Sequence, residues 1–279
     1  AQTGDERYKI AMDTLRKQMA EQPRTSEGGF WHKLRYPHQM WLDGIFMASP
    51  YLVQYGATFD EPALFDEATK QILLIKSKTY DPATGLYYHG WDESHEQKWS
   101  NPETGCSPNF WSRSIGWYGA AIVDVLDFLP QETAGRDSII QILQGLAKAI
   151  VKYQDPSSGT WYQVTDQGAR EGNYLESSAT ALFIYTLAKA INKGYIGNEY
   201  IEPTQKAFDG MVKTFTRLEE DGSYTITNCC AVAGLGGDSK RYRDGSFEYY
   251  ISEPIIENDP KSVGSFILAA IEYEKMTKK

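Results

Sequence analysis

The chain has 279 residues, 41% of them hydrophobic and 13% aromatic, including 7 Trp and 19 Tyr. That is enough apolar material to bury a large core, read here as one domain over 1–279, and it excludes a disordered or low-complexity polypeptide. A net charge of −9 with no offsetting basic block argues against nucleic acid as a partner, and the lack of an apolar run of about 18 residues argues against a membrane span.

In chain order, Asp5 reads as the N-cap of a first helix whose apolar positions are Tyr8, Met12, Leu15 and Met19. The stretch FWHKLRYPHQMWLDGIFMASPY (30–51) then gathers aromatics, His32, Lys33 and Arg35 ahead of a single carboxylate, Asp43. Gly44 and an apolar run follow, so Asp43 falls near the start of a second helix. A carboxylate among indoles and cations is expected to be partly desolvated and able to exchange protons near neutral pH. Further helices are expected near 61–78, from Trp111 through Ile115, Tyr118, Ile122 and Val125 to Leu129, and near 135–154, 176–193, 203–218 and 263–277. Ser107-Pro108 is the expected cap and first-turn pair of the helix at 111. Strand-like alternation is confined to 222–228 and 245–251, the latter overlapping YRDGSFEYY (242–250), expected as a hairpin over the site.

The loops repeat. SEGGFWH (26–32), DPATGLYYHGW (81–91), DPSSGTWYQV (155–164) and EEDGSYTIT (219–227) each place a turn residue, then glycine (29, 85, 159 and 222), then aromatics. The spacing leaves room for two helices per unit, which predicts an all-α array of four helical hairpins. An (α/α)6 toroid is the natural closure, and this chain is expected to supply about four of the six hairpins. Asp43, then Arg113 with Trp117 one turn on, then Glu176 all fall at starts of second helices. Parallel inner helices would collect these ends at one rim, to which the loops would bring His32, Lys33, His89, Trp91 and Trp161. Helix N-termini favour anions, so the rim suits a ligand bearing a carboxylate.

The residues alone leave alternatives. Asp43 fits a first-turn carboxylate complementing the helix dipole as well as a proton donor. Arg113 must be paired, either by a structural carboxylate or by a ligand. His38 and His95 lack equivalents in the other loops and read as structural, and GLGGDS (234–239) reads as a turn. Cys106, Cys229 and Cys230 form neither a disulfide framework nor a metal pattern, no metal or organic cofactor is indicated, and no GxSxG exists. The opening AQTGDERY lacks a signal-peptide pattern, with bacterial cytoplasm or periplasm the expected compartment.

Together, the 30–50 segment, YYHGWDES, FWSRSIGWYGAAIVDVLD, NYLESSATALFIYTLAKAI and the run from VAGLGG through RDGSFEYYISEPIIENDPKSVG resemble the unsaturated rhamnogalacturonyl hydrolases, glycoside hydrolase family 105, over essentially the whole chain. The resemblance implies an (α/α)6 barrel that removes unsaturated uronic acid from oligosaccharides left by pectin lyases. It places the catalytic aspartate on Asp43. The substrate-binding positions fall on His32, Lys33, Trp41, Met47, His89, Trp111, Arg113 and Trp117, with Arg113 holding the uronate carboxylate. It also implies that about a hundred residues of further helices precede the part matched here, and Ser114 stands where many members carry glycine. An inverting glycosidase on saturated sugars is the competing expectation, with Glu176 or Asp92 as a second carboxylate roughly 6.5 to 9.5 Å from Asp43. A non-catalytic sugar-binding fragment is a third.

Overall fold

The computed structural model describes residues 3–237 and 241–278. Eight long helices among them alternate between an outer and an inner layer. The outer helices are α1 (Glu6–Glu21), α3 (Ala63–Thr79), α5 (Arg136–Lys152) and α7 (Ile201–Phe215). The inner ones are α2 (Leu42–Phe59), α4 (Ser112–Val125), α6 (Ser177–Asn192) and α9 (Pro260–Thr277), with the short α8 (Phe247–Ser252) before the last. The inner helices pack in sequence, α2 on α4, α4 on α6 and α6 on α9, an arc of four hairpins.

The layers follow from composition. α6 buries every residue from Ser177 to Ala190, as a helix apolar on all sides must, whereas α1 buries none. The close approach of α4 to α6 depends on glycine. A Cβ at Gly116 would lie 2.7 Å from Leu182 Cβ, and one at Gly119 would lie 2.8 Å from Thr186 Oγ1.

The loop repeat is a specific turn. Gly85 N–H donates to the Asp81 carbonyl and Gly159 N–H to the Asp155 carbonyl, each at 2.8 Å. In both turns the aspartate carboxylate accepts from the residue before the glycine, Thr84 or Ser158. A further copy, Asn101 to Gly105, escaped the sequence reading. All three glycines have φ between +74° and +80°, which explains the residue type. In the first loop the left-handed position is Gly28 rather than the expected Gly29.

Among the described residues three strand pairs stitch the loops: β1 (Gln39–Trp41) with β2 (Gly90–Asp92), β3 (Thr216–Leu218) with β4 (Tyr224–Ile226), and β5 (Cys229–Cys230) with β6 (Ile255–Ile256), all antiparallel. Two expectations fail locally. Residues 247–252 form α8 instead of a hairpin, because the Ser246 hydroxyl caps Tyr249 N–H and Phe247 and Tyr250, three apart, are both buried. Ser107-Pro108 does not start α4. Ser107 Oγ accepts from Gly90 N–H, and the helix begins only after Trp111, where Ser112 N–H is held by the Gln163 carbonyl. The GLGGDS segment turns through Gly236 and Gly237, both at positive φ, while its Asp238 and Ser239 lie outside the described residues.

Candidate active site

The N-terminal ends of α2, α4 and α9 meet at one rim around a cavity of about 340 Å³. Asp43 lies in the first turn of α2, behind an N-cap, Trp41, that offers no side-chain cap of its own. The β1–β2 pairing sets Trp41 opposite Gly90, and Leu42 N–H donates to the His89 carbonyl at 3.0 Å. That register delivers His89 to the carboxylate, with Nε2 3.2 Å from Asp43 Oδ2. Gly90 is needed for this, since a Cβ there would come within 2.8 Å of Trp41 Cδ1 and of Leu235 Cδ1.

His89 is fully buried beneath the cavity, against the Trp111 ring at 4.7 Å, and its Nδ1 meets the Tyr250 hydroxyl at 2.8 Å. Burial holds the Tyr250 phenol in its protonated form. A phenol donating to Nδ1 leaves the ring proton on Nε2, facing Asp43. Tyr250, His89 and Asp43 thus form a chain from α8 to α2.

His32 stacks on Trp41, with centroids 4.1 Å apart and planes 14° from parallel, and Tyr36 packs on the same indole at 4.8 Å. Burial pushes the His32 imidazole down to about 3 against a smaller pull from Asp43, so it is neutral at physiological pH. The glycine after Asp43 makes room for it, since a Cβ at Gly44 would lie 3.2 Å from His32 Nδ1.

For Asp43, burial alone would raise the carboxyl, but the adjacent His89 imidazole, with a smaller contribution from His32, outweighs it, and the group sits below its usual range. This corrects the expectation of a proton exchanged near neutrality: in the free protein Asp43 is a carboxylate. Its contact with His89 is close but poorly aligned. Asp43 Oδ2 and His89 Nε2 therefore stay buried without a hydrogen-bond partner among the described residues, as do His32 Nδ1 and Arg113 Nε. Unsatisfied polar atoms gathered at one cavity point to a ligand that completes them.

Of the other expected residues, Lys33, Trp41, Met47, Trp111, Arg113 and Trp117 line this cavity with Asp43 and His32. Trp117 packs on Phe46 at 4.5 Å, and Met47 is 61% exposed at the mouth. Arg113 is only 1% exposed and lies over the Trp111 ring. Its Nη1 donates to the Cys230 carbonyl and to Ser178 Oγ and stands 3.8 Å from Glu176 Oε1. The arginine's first partner is therefore a structural carboxylate. Trp91 and Trp161 do not reach the cavity wall; Trp161 is fully buried, its indole N–H held by the Ile150 carbonyl.

Glu176 and Asp92 are both fully buried. Glu176 caps α6 through Ala179 N–H and also accepts from Ser178 Oγ and Cys230 N–H. Asp92 accepts from the backbone of Ser94 and Gln97. Residues that the sequence reading passed over also line the cavity, notably Tyr36, Arg243 and Lys261. Lys261 opens α9 as Asp43 opens α2, a parallel visible in hindsight from the hairpin repeat. Arg243 and Tyr250 lie in the quoted RDGSFEYY motif without a local signal of their roles.

An arc of helical hairpins that presents, among the described residues, one carboxylate amid stacked aromatics and cations at the rim of its inner helices fits the helical-toroid class of carbohydrate-active enzymes. The chain belongs to Glycosyl Hydrolase Family 88, whose profile matches residues 1–277. A glycoside hydrolase from family 105 of C. acetobutylicum superposes with a TM-score of 0.95 at 45% identity, covering 98% of this chain and 75% of that one. Protein Atu3128 of Agrobacterium fabrum is 37% identical over 230 residues, 81% of this chain and 97% of its own length. The unsaturated rhamnogalacturonyl hydrolase YesR of Bacillus subtilis is 27% identical over 226 residues, 79% of this chain and 60% of that protein. No helix among the described residues is long and apolar enough to cross a membrane.

Proposed function

We propose that this glycoside hydrolase removes a 4,5-unsaturated uronic acid from pectin-derived rhamnogalacturonan oligosaccharides, with Asp43 as the proton-transfer group. The observation that carries the reading is that Asp43 is the one carboxylate among the described residues lining the cavity. Hydrolysis of a saturated glycoside ordinarily employs two carboxyl groups flanking the bond. Glu176 and Asp92, the candidates for a second, have their oxygens occupied by backbone amides and hydroxyls. The relative named for unsaturated rhamnogalacturonyl hydrolysis supports the substrate class.

A single carboxyl group suffices for an unsaturated uronide because its C4=C5 bond is an enol ether. Asp43 gives a proton to C4, and the positive charge is shared between C5 and the ring oxygen. Water adds at C5 and returns its proton to Asp43. The resulting hemiketal opens to a C5 ketone, and the hemiacetal left at C1 expels the neighbouring sugar as an alcohol. One water is consumed and no redox change occurs.

The resting carboxylate state of Asp43 fits a donor that is charged with its proton on binding. A uronate carboxylate entering the cavity adds a like charge, which raises the Asp43 carboxyl from its depressed position. His32, neutral and stacked on Trp41, offers a hydrogen bond without competing for the proton. Trp111 and Trp117 wall the ring. In this reading the four hairpins are an arc of the (α/α)6 ring.

Asp43→Asn should abolish loss of the ultraviolet absorbance of the conjugated enol-ether carboxylate while calorimetric binding of the disaccharide persists. Normal turnover by that variant would sink the assignment, and turnover of saturated disaccharides by the unaltered protein would favour the two-carboxylate route instead.

A further inference from the structure

We propose that Arg243 is the residue that selects for an ionised uronate, receiving the substrate carboxylate that Arg113 is too committed to hold alone. The inference rests on the unsaturated-uronate reading of the same cavity and adds to it a specificity-determining side chain on a different loop.

Four cations line the cavity among the described residues: Lys33, Arg113, Arg243 and Lys261. Two of them are already neutralised. Arg113 is buried against Glu176 and spends Nη1 on Cys230 and Ser178. Lys261 is paired with Asp259, its Nζ 2.7 Å from Oδ1. Lys33 is exposed on its loop, at the end of a flexible stem. Arg243 differs from all three. It is half-buried, and among the described residues its guanidinium makes no hydrogen bond or ion pair.

Its position is nevertheless well determined. The Arg243 backbone exchanges two hydrogen bonds with Gly236, Gly236 N–H to Arg243 O at 2.8 Å and Arg243 N–H to Gly236 O at 3.1 Å. Gly234 leaves the space that the guanidinium fills. A Cβ there would lie 3.0 Å from Arg243 Nη1 and 3.5 Å from Trp41 Cζ3, so the fork sits over that glycine beside the Trp41 indole. Trp41 in turn carries His32 on its ring and precedes Asp43 by two residues. A planar, permanently charged fork fixed at a cavity wall, with no partner among the described residues, suits a planar anion, and a carboxylate accepts from both of its arms.

The test crosses one substitution with one change to the substrate. The acid and the methyl ester of the same unsaturated disaccharide are compared on the unaltered protein, Arg243→Gln and Arg243→Lys, with melting curves confirming that each folds. A charge-assisted bidentate contact predicts a rise in KM for the acid of about 10- to 100-fold in Arg243→Gln, with KM for the ester changed by less than about 2-fold. Arg243→Lys should fall between, because a point charge keeps attraction but loses the fork. An acid KM within about 2-fold of the unaltered protein in Arg243→Gln overturns the proposal, as does an equal loss on acid and ester. Failure of the unaltered protein to convert or bind the acid at all would instead bring down the substrate reading, and this assignment with it.

Discussion

Glu176→Gln separates a structural carboxylate from a catalytic one. Glu176 and Arg113 are 0% and 1% exposed at the side chain and lie 3.8 Å apart. At an effective dielectric constant of about 20, two unit charges at that distance attract by about 4 kcal/mol. Neutralising one member of a buried pair typically costs about 3–5 kcal/mol, because the other charge is left uncompensated. The glutamine also places an NH2 where Glu176 now accepts from Ala179 N–H or Cys230 N–H, so donor would face donor. With an unfolding entropy of about 2.1 cal/mol/K per residue over 279 residues, a loss of about 4 kcal/mol lowers Tm by about 7 °C. Scanning calorimetry on Glu176→Gln, Arg113→Met and the double variant reads the coupling, and the double should be more stable than the sum of the single losses implies. Well below its Tm, Glu176→Gln should retain turnover. A variant with unchanged Tm and abolished turnover would refute the reasoning and make Glu176 the second carboxylate of a saturated-sugar glycosidase.

Tyr250→Phe removes the hydroxyl that orients His89, and kcat should fall by about 10-fold with KM little changed and the pH–rate profile shifted, while Tm drops by only a few degrees. An unchanged kcat and profile would show that His89 is held by packing against Trp111 alone. Stability should fall as pH drops from about 6.5 towards 3. His32 is held near 3 when folded, so the unfolded chain takes up a proton that the folded chain refuses. The loss should reach about 1–2 kcal/mol by pH 5, measured as urea midpoints, and His32→Asn should flatten this slope even if it lowers stability throughout. Asp43, depressed below the usual carboxylate range, adds its own loss only at still lower pH. Gly44→Ala should leave Tm unchanged or raise it, since alanine favours the first turn of α2, yet reduce kcat/KM by displacing His32 from its 3.2 Å clearance. Equal activity would show that the ring yields without consequence.

How legible the site was depends on how locally each residue is held. Asp43, Arg113 and Trp117 sit in or near the first turns of inner helices, and helical periodicity places such residues from sequence spacing alone. The turn glycines were legible for the same reason, since Asp81 to Gly85 closes within five residues. Errors arose where local pattern was too short to choose between states. FEYYIS fits a strand or a helix equally, and burial of Phe247 and Tyr250 against the rest of the fold decided for α8. Trp161 follows its loop glycine just as the expected rim residues do, but its indole turns into the core to reach Ile150.

The sequence by itself determined an all-α chain of repeated hairpins, the identity of its outer and inner helices, and the placing of Asp43 and Arg113 in the first turns of two inner ones. These follow from periodicities of a few residues and from turn chemistry, both written locally. Only the tertiary structure decided which charges remain free. It spent Arg113 on Glu176 and Lys261 on Asp259, seated His89 on Asp43 through a strand pairing some fifty residues apart, and left Arg243 without a partner among the described residues at the wall. Protonation and pairing depend on burial and on distances between segments remote in sequence, which no local pattern encodes.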